Sequence, residues 1–279
     1  MYQQNTKSMS APISNLRQRA YDHLQRKLLS GELHAGSLVS EQSLAAEIGM
    51  SRTPVREAIR TLEQEGVLEQ VPRYGTRVRK LERRDLIELY ELREAVEPFA
   101  VAKAAVSALP EDILSLRSLC DEIGKLAREL TKSKLPSLDA SQMQRLLSAD
   151  LGFHLMLLRA AGNHRMMKIV SDSRLLTGIF GTQRQAHTRS VLEQTHREHQ
   201  TILDAVEKGD AKAASRAMAE HIRASKQQAL LAYDQERAAH DARSIPLSMP
   251  QHLMEQVDHI RATRRQSKSK TSNPKSKIQ

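Results

Sequence analysis

Ser51-Arg52-Thr53-Pro54-Val55-Arg56-Glu57-Ala58-Ile59-Arg60-Thr61-Leu62 is the stretch on which the reading of this chain turns. Val55, Ala58, Ile59 and Leu62 recur at helical spacing and form one apolar face, so Thr53, Arg56 and Arg60 fall on the face left free, with Arg52 at its N-terminal edge. Gly66 stops the run. Upstream, Ser40 is placed to cap a shorter helix with Leu44, Ala45 and Ile48 inward, and Gly49 stands where a left-handed C-terminal residue is wanted. Only Met50 and Ser51 lie between the two helices. A pair of helices joined through so tight a turn, with glycine at the bend, is a helix-turn-helix pattern.

Outward from this pair, Leu16, Ala20, Tyr21, Leu24 and Leu28 predict a preceding helix that ends at Gly31, and residues 32–39 read as a linker containing Gly36. Downstream the period changes. Residues 67–71 and 76–79 predict two short strands around the turn Pro72-Arg73-Tyr74-Gly75. Three helices and a hairpin describe a winged helix-turn-helix domain over residues 13–80, after a flexible arm at 1–12. From Asp85 onward the periodicity is helical. Leu86, Leu89, Leu92, Val96, Phe99 and Ala100 form one stripe, and Ile113, Leu116, Leu119 and Ile123 a second, after Pro110 as a first-turn residue. Further helices are expected around 140–161, 163–187, 190–207 and 211–235. The fold class is therefore mainly α: a winged helix-turn-helix, then an all-helical bundle at 81–240.

Aromatic residues make up only 3% of the chain, which excludes an aromatic-rich β-sandwich, and the single cysteine, Cys120, cannot form an intramolecular disulfide. No apolar run approaches the ~20 residues that span a bilayer, and no secretory segment follows Met1, so no membrane association and a cytoplasmic location are expected. The net charge of +10 is concentrated at the C-terminal end, where residues 261–279 hold seven Lys/Arg and no Asp/Glu. Residues 241–279 therefore read as a basic, disordered tail. Bulk charge alone says little about specific DNA binding.

The chemistry lies in two places. Arg52 and Arg56 are positioned as the N-terminal side chains of a recognition helix, which lie against base edges in the major groove, where guanidinium donates to guanine O6 and N7. Ser51 and Thr53 at the helix start suit phosphate, and Arg73 and Gly75 sit at the tip of the wing. Farther on, Asp150 and His154 are four apart on one helix, while His199 and His221 lie on or beside the apolar stripes of two later helices. Three imidazoles and a carboxylate suit a borderline divalent metal. With eleven histidines in the chain, spacing by itself leaves this open, since a core-side histidine is more often hydrogen-bonded than metal-bound. His164, His187 and His196 are assigned to the surface.

Residues 13–80, above all the stretch 51–62 with Glu65-Gly66-Val67-Leu68 and Arg73-Tyr74-Gly75-Thr76-Arg77-Val78, resemble the DNA-binding domain of the GntR family of bacterial transcription regulators. The resemblance implies that Arg52, Thr53, Arg56, Gly75 and the second-helix residue Gln42 contact operator DNA. Gln42 departs from a basic residue. The block 86–105, Asp150-x-x-x-His154, Ala161-Gly162-Asn163, and Glu198-His199 through Gly209-Asp210 to His221-Ile222 are similar to the FCD-type ligand-binding domain of the FadR subgroup. That similarity implies a divalent metal on Asp150, His154, His199 and His221, a small organic acid effector bound beside it, and Arg93 facing the effector cavity.

The expected protein is a homodimeric repressor that binds double-stranded operator DNA and responds to a carboxylate through a metal. Zinc is the expected ion, with nickel or manganese as substitutes. Two alternatives stand beside it. One is a helical metal-dependent hydrolase, disfavoured because no further acid or base sits at a recognisable spacing and His240-Asp241 lies near the tail. The other is a constitutive DNA-binding protein with a purely structural metal.

Overall fold

Ser40 and Gly49 act as the sequence demands: the Ser40 hydroxyl accepts a hydrogen bond from the Ser43 amide at 3.2 Å, and Gly49 adopts a φ of 63° that an L-residue with a Cβ resists. The computed structural model describes residues 13–133, 135–182 and 187–243; the expected arm at 1–12, the tail beyond 243 and the side chains of His240 and Asp241 lie outside the described residues. In order the elements are α1 (Ile13–Leu29), β1 (Leu38–Val39), α2 (Glu41–Glu47), α3 (Arg52–Gln64), β2 (Leu68–Val71), β3 (Gly75–Val78), α4 (Arg83–Ser107), α5 (Pro110–Ser133), α6 (Ala140–Ala160), α7 (His164–Thr182), α8 (Arg189–Glu207) and α9 (Ala211–Arg243). Among the described residues, those through Tyr233 cluster as one compact unit and those from Asp234 onward belong to another.

The first three helices bury the faces that periodicity assigns them: Ala20, Leu24 and Leu28 of α1, Leu44 and Ala45 of α2, and Val55, Ala58, Ile59 and Leu62 of α3 pack together over Val67, Leu68 and Val78. Val55, Ala58 and Leu62 are wholly out of water. A fully buried aliphatic side chain stabilises the fold by about 1.5–3 kcal/mol. The wing differs from expectation by one strand. Leu38 and Val39, expected in a linker, form β1 and pair antiparallel with β3, opposite Arg77 and Thr76, so the sheet order is β1-β3-β2. Backbone pairing supplies the reason: the Val78 amide donates to the Ser37 carbonyl at 2.8 Å, continuing that ladder. At the tip Arg73 holds a φ of 69° and Gly75 one of 87°, giving the chain its sharp reversal.

This core extends past residue 81. Leu86 of α4 and Leu175, Leu176, Ile179 and Phe180 of α7 belong to the same buried cluster. The rest of α4 corrects the expected stripe. Leu92 and Phe99 are 39% and 59% exposed, and the buried face is instead Leu86, Tyr90, Arg93, Glu97, Ala100, Val101 and Ala104. Two charged residues occupy core positions on α4, so apolar periodicity alone placed the inward face one step off. A second core, with Leu116 and Cys120 of α5, Phe153 and Leu157 of α6, Ile202 and Leu203 of α8, and Met218 and Ile222 of α9, surrounds the predicted metal-binding side chains.

Candidate metal centre and DNA-binding face

Gln42, Ser51, Arg52, Thr53, Arg56, Arg73 and Gly75 are all solvent-exposed. The structure keeps every one of these predicted DNA contacts clear of the core. Ser51 stands before α3 without a side-chain cap, leaving the first-turn amides of the helix for an external anion. Arg52 and Arg56 are not independent. Both reach back to Glu41 at the start of α2: Arg56 donates from Nε to Oε1 and from Nη2 to Oε2, each at 3.0 Å, and Arg52 donates from Nη2 to Oε2 at 2.9 Å. The Arg56 hydrogen bonds, against a smaller opposing effect of burial, hold the Glu41 carboxyl below its usual range. The wing is tied to α3, since the Thr76 hydroxyl, itself accepting from the Gln70 side-chain amide at 2.7 Å, donates to Glu63 of α3 at 3.3 Å.

The second site is built by four helices. A capping box starts α6, with the Gln142 amide donating to Asp139 Oδ1 at 2.8 Å and the Asp139 amide to Gln142 Oε1 at 3.2 Å. About three turns later α6 presents Asp150, and about four turns later His154. His199 of α8 and His221 of α9 complete a group whose donor atoms all lie within 4.8 Å of one another. The imidazoles are buried: His154 is 1% exposed, His199 0% and His221 4%. His154 Nε2 and His199 Nε2 face each other at 3.2 Å, and Asp150 Oδ1 stands 3.5 Å from His199 Nε2. Donors that each bind one ion at about 2.1 Å lie roughly 3.0–3.5 Å apart around it, which these two separations match, while His154 Nε2 and Asp150 Oδ1 stand wider at 3.9 Å.

Protonation points the same way. Burial pushes the His154 imidazole down to about 3, with the Arg174 charge adding to the effect, and burial, then His221, holds His199 well below its usual value. Burial alone would raise the Asp150 carboxyl, but Arg174 and the three imidazoles keep it below the normal carboxylate range. Neutral imidazoles and an ionised carboxylate are the forms that bind metal. The outer atoms orient the set: His221 Nδ1 lies 2.8 Å from Glu198 Oε2, which directs its Nε2 lone pair inward. His154 Nδ1 approaches Glu97 Oε2 at 2.8 Å, off the hydrogen-bond axis, and the Phe153 ring stacks on His199 at 4.3 Å. His199 Nδ1 is buried with no hydrogen-bond partner among the described residues.

Two residues that sequence reasoning did not single out sit at the centre of this arrangement. Glu97 accepts from Arg93 Nε at 2.7 Å and from Arg174 Nη2 at 3.2 Å, while Arg174 Nη1 donates to Asp150 Oδ2 at 3.0 Å. For Glu97 the cost of burial is outweighed by the Arg174 and Arg93 charges, which hold its carboxyl well below the usual value. Arg93 also lies over the Tyr90 ring, 4.9 Å from its centroid. A cavity of about 220 Å³ adjoins the cluster, walled among others by Tyr90, Arg93, Asp150, Arg174, His221 and, from α1, Gln25. His187, assigned to the surface from sequence, is buried in this wall, and His196 is half-buried with its Nε2 against Gly124; only His164 is exposed. Both corrections have one cause: helix packing covers positions that the local sequence leaves polar.

Comparison with known proteins gives two matches along the chain. The family model described as bacterial regulatory proteins, gntR family, matches residues 16–78, and that described as FCD domain matches residues 88–224. A protein named as an uncharacterized HTH-type transcriptional regulator in an unstable DNA locus of Streptomyces ambofaciens is 30% identical over 235 residues, covering 83% of this chain and 93% of its own. The probable D-xylose utilization operon transcriptional repressor of Paenarthrobacter nicotinovorans is 29% identical over 203 residues, 73% of this chain and 84% of its own. Among solved structures, E. coli McbR/YncC shares the fold with a TM-score of 0.67 at 22% identity, over 79% of this chain and 98% of that one.

Proposed function

Because the chain belongs to the GntR family of bacterial transcriptional regulators and carries an FCD domain, we propose that it is an operator-binding repressor controlled by a small carboxylate at a metal centre. It is a regulator and not an enzyme, so the hydrolase alternative falls. The observation that carries the ligand-responsive reading is the convergence of Asp150, His154, His199 and His221 within 4.8 Å beside a cavity. Bound there, zinc, or nickel or manganese in its place, would supply an electrophilic position open to an oxygen ligand.

Charge selects the ligand class. Asp150 and Glu97 balance Arg93 and Arg174, so a divalent ion leaves the buried cluster with uncompensated positive charge that an anion neutralises. A volume of about 220 Å³ lies below the ~300–1,000 Å³ of drug-sized pockets and suits a small organic acid, with Arg93 in reach of its carboxylate. No helix among the described residues is long and apolar enough to cross a membrane, and the reading places the protein in the cytoplasm as a homodimer on two half-sites. There Arg52 and Arg56 read guanines, Ser51, Thr53 and Gln42 meet phosphates, and Arg73 and Gly75 bring the wing to the backbone.

Signal transfer follows from α7. Arg174 and Thr177 face the cavity, while Leu175, Leu176, Ile179 and Phe180 complete the core under α1 and α3. An acid drawn to Arg174 therefore acts on a helix that the DNA-binding region packs against. It need only favour one arrangement of that contact to change operator affinity. The test is fluorescence anisotropy on a duplex selected by the protein from a randomised pool, with metal-loaded protein titrated with a panel of small carboxylic acids. The reading predicts a sequence-specific complex whose affinity shifts with at least one acid, and loss of operator discrimination in Arg52→Ala and Arg56→Ala. Binding equally tight to every duplex would refute it, and a specific complex indifferent to all acids, in a protein that chelation unfolds, would leave a constitutive binder with a structural ion.

A further inference from the structure

We infer that Glu41 sets the specificity of DNA recognition, by bracing the Arg52 and Arg56 side chains in the poses from which they read bases. The inference rests on the reading that these arginines contact DNA. Glu41 is the first residue of α2, fixed there by the Ser40 cap, and it gathers two guanidinium groups from α3, 11 and 15 residues farther along the chain. Both arginines are otherwise free to wander: their side chains are 61% and 47% exposed, whereas that of Glu41 is 26% exposed.

The geometry leaves the arginines able to work. Arg56 spends its Nε–Nη2 edge on the carboxylate, so the Nη1–Nη2 end remains free to donate two parallel hydrogen bonds to guanine O6 and N7. Arg52 commits only Nη2 and keeps Nε and Nη1. A carboxylate in this place does two things at once. It orders two flexible side chains before DNA arrives, which lowers the entropy lost on docking. It also removes one unit of positive charge from the recognition face, which weakens the attraction to phosphates of any sequence. Both effects widen the gap between operator and random DNA.

The test compares wild-type protein with Glu41→Gln and Glu41→Asp on the duplex that the wild type selects from a randomised pool and on a scrambled duplex of equal length. Each is titrated across a salt series. Bracing predicts that Glu41→Gln binds the scrambled duplex several-fold tighter, with a salt slope steeper by up to about 1, and binds the selected duplex no tighter, so the ratio of affinities falls at least several-fold. Replacing operator guanines by 7-deazaguanine should then penalise the variant less than the wild type, because N7 is no longer well used. Glu41→Asp keeps the charge but shortens the reach; bracing predicts a reduced ratio here too, whereas simple charge subtraction predicts wild-type behaviour. Equal tightening on both duplexes in Glu41→Gln, or a ratio within twofold of wild type in Glu41→Asp, would overturn the inference. Failure of the wild type to select any sequence would instead refute the DNA-recognition reading, and this inference with it.

Discussion

Replacing Glu97 by glutamine removes one negative charge from the most deeply buried polar cluster and changes almost nothing else. Glu97 is 1% exposed and sits between Arg93 at 2.7 Å and Arg174 at 3.2 Å, with His154 Nδ1 at 2.8 Å. Taking away one partner of a buried ion pair costs about 3–5 kcal/mol, because the other charge is left in a poor solvent. Arg174 retains Asp150, and the glutamine carbonyl still accepts a hydrogen bond, so the lower end, about 3 kcal/mol, applies. For a folding unit of this size each kcal/mol moves the midpoint by roughly 2–4 °C, which predicts a fall of roughly 6–12 °C. The assay is thermal unfolding followed by circular dichroism in a chelating buffer, so that bound metal does not mask the effect. The direction with pH is fixed by the depressed carboxyl: Glu97 stabilises the fold above the unfolded carboxyl value of about 4.3, and that contribution is lost as pH falls toward its folded value. The gap between wild type and variant should therefore narrow below about pH 4. A drop of less than roughly 2 °C at neutral pH would show that these charges are effectively solvated and that the reasoning fails.

Ser40→Ala removes the cap of α2, where the hydroxyl accepts from the Ser43 amide at 3.2 Å; the expected loss is about 1 kcal/mol, read as a midpoint lower by roughly 2–4 °C in the same scan. The Cys120 thiol is pushed up to about 12, chiefly by burial, so the native protein should not react with an aromatic disulfide reagent at pH 8 and should react fully once denatured. Because the unfolded thiol ionises near 8.5, this group also subtracts stability as pH rises above that value, an effect that Cys120→Ala should abolish in a pH series.

Much of the DNA-binding region is legible because its signals are local. Ser40, Gly49 and the apolar positions of α2 and α3 act on neighbours within a turn or two, and the bonds and burial they predict are present. The strand β1 was not legible, since two residues carry no periodicity and its pairing with β3 is made by backbone groups. The four donors of the candidate metal centre could be proposed from residue types and resemblance, and the fold brings them together. Glu97 and Arg174 could not. They lie 77 residues apart, on helices that meet only in the packed bundle, and nothing near either one marks it as buried. Phe99 shows the converse error, an apolar residue that periodicity sent inward and the structure leaves 59% exposed, because charged pairs took the inward face of α4.

The claim on which the functional account turns is that Asp150, His154, His199 and His221 hold one divalent ion. Calorimetric titration of chelator-stripped protein with zinc tests it most directly. The account predicts saturable binding of a single equivalent per chain, abolished in the folded double variant His154→Ala/His199→Ala. No saturable binding by the wild type, or binding that survives in the double variant, would contradict it.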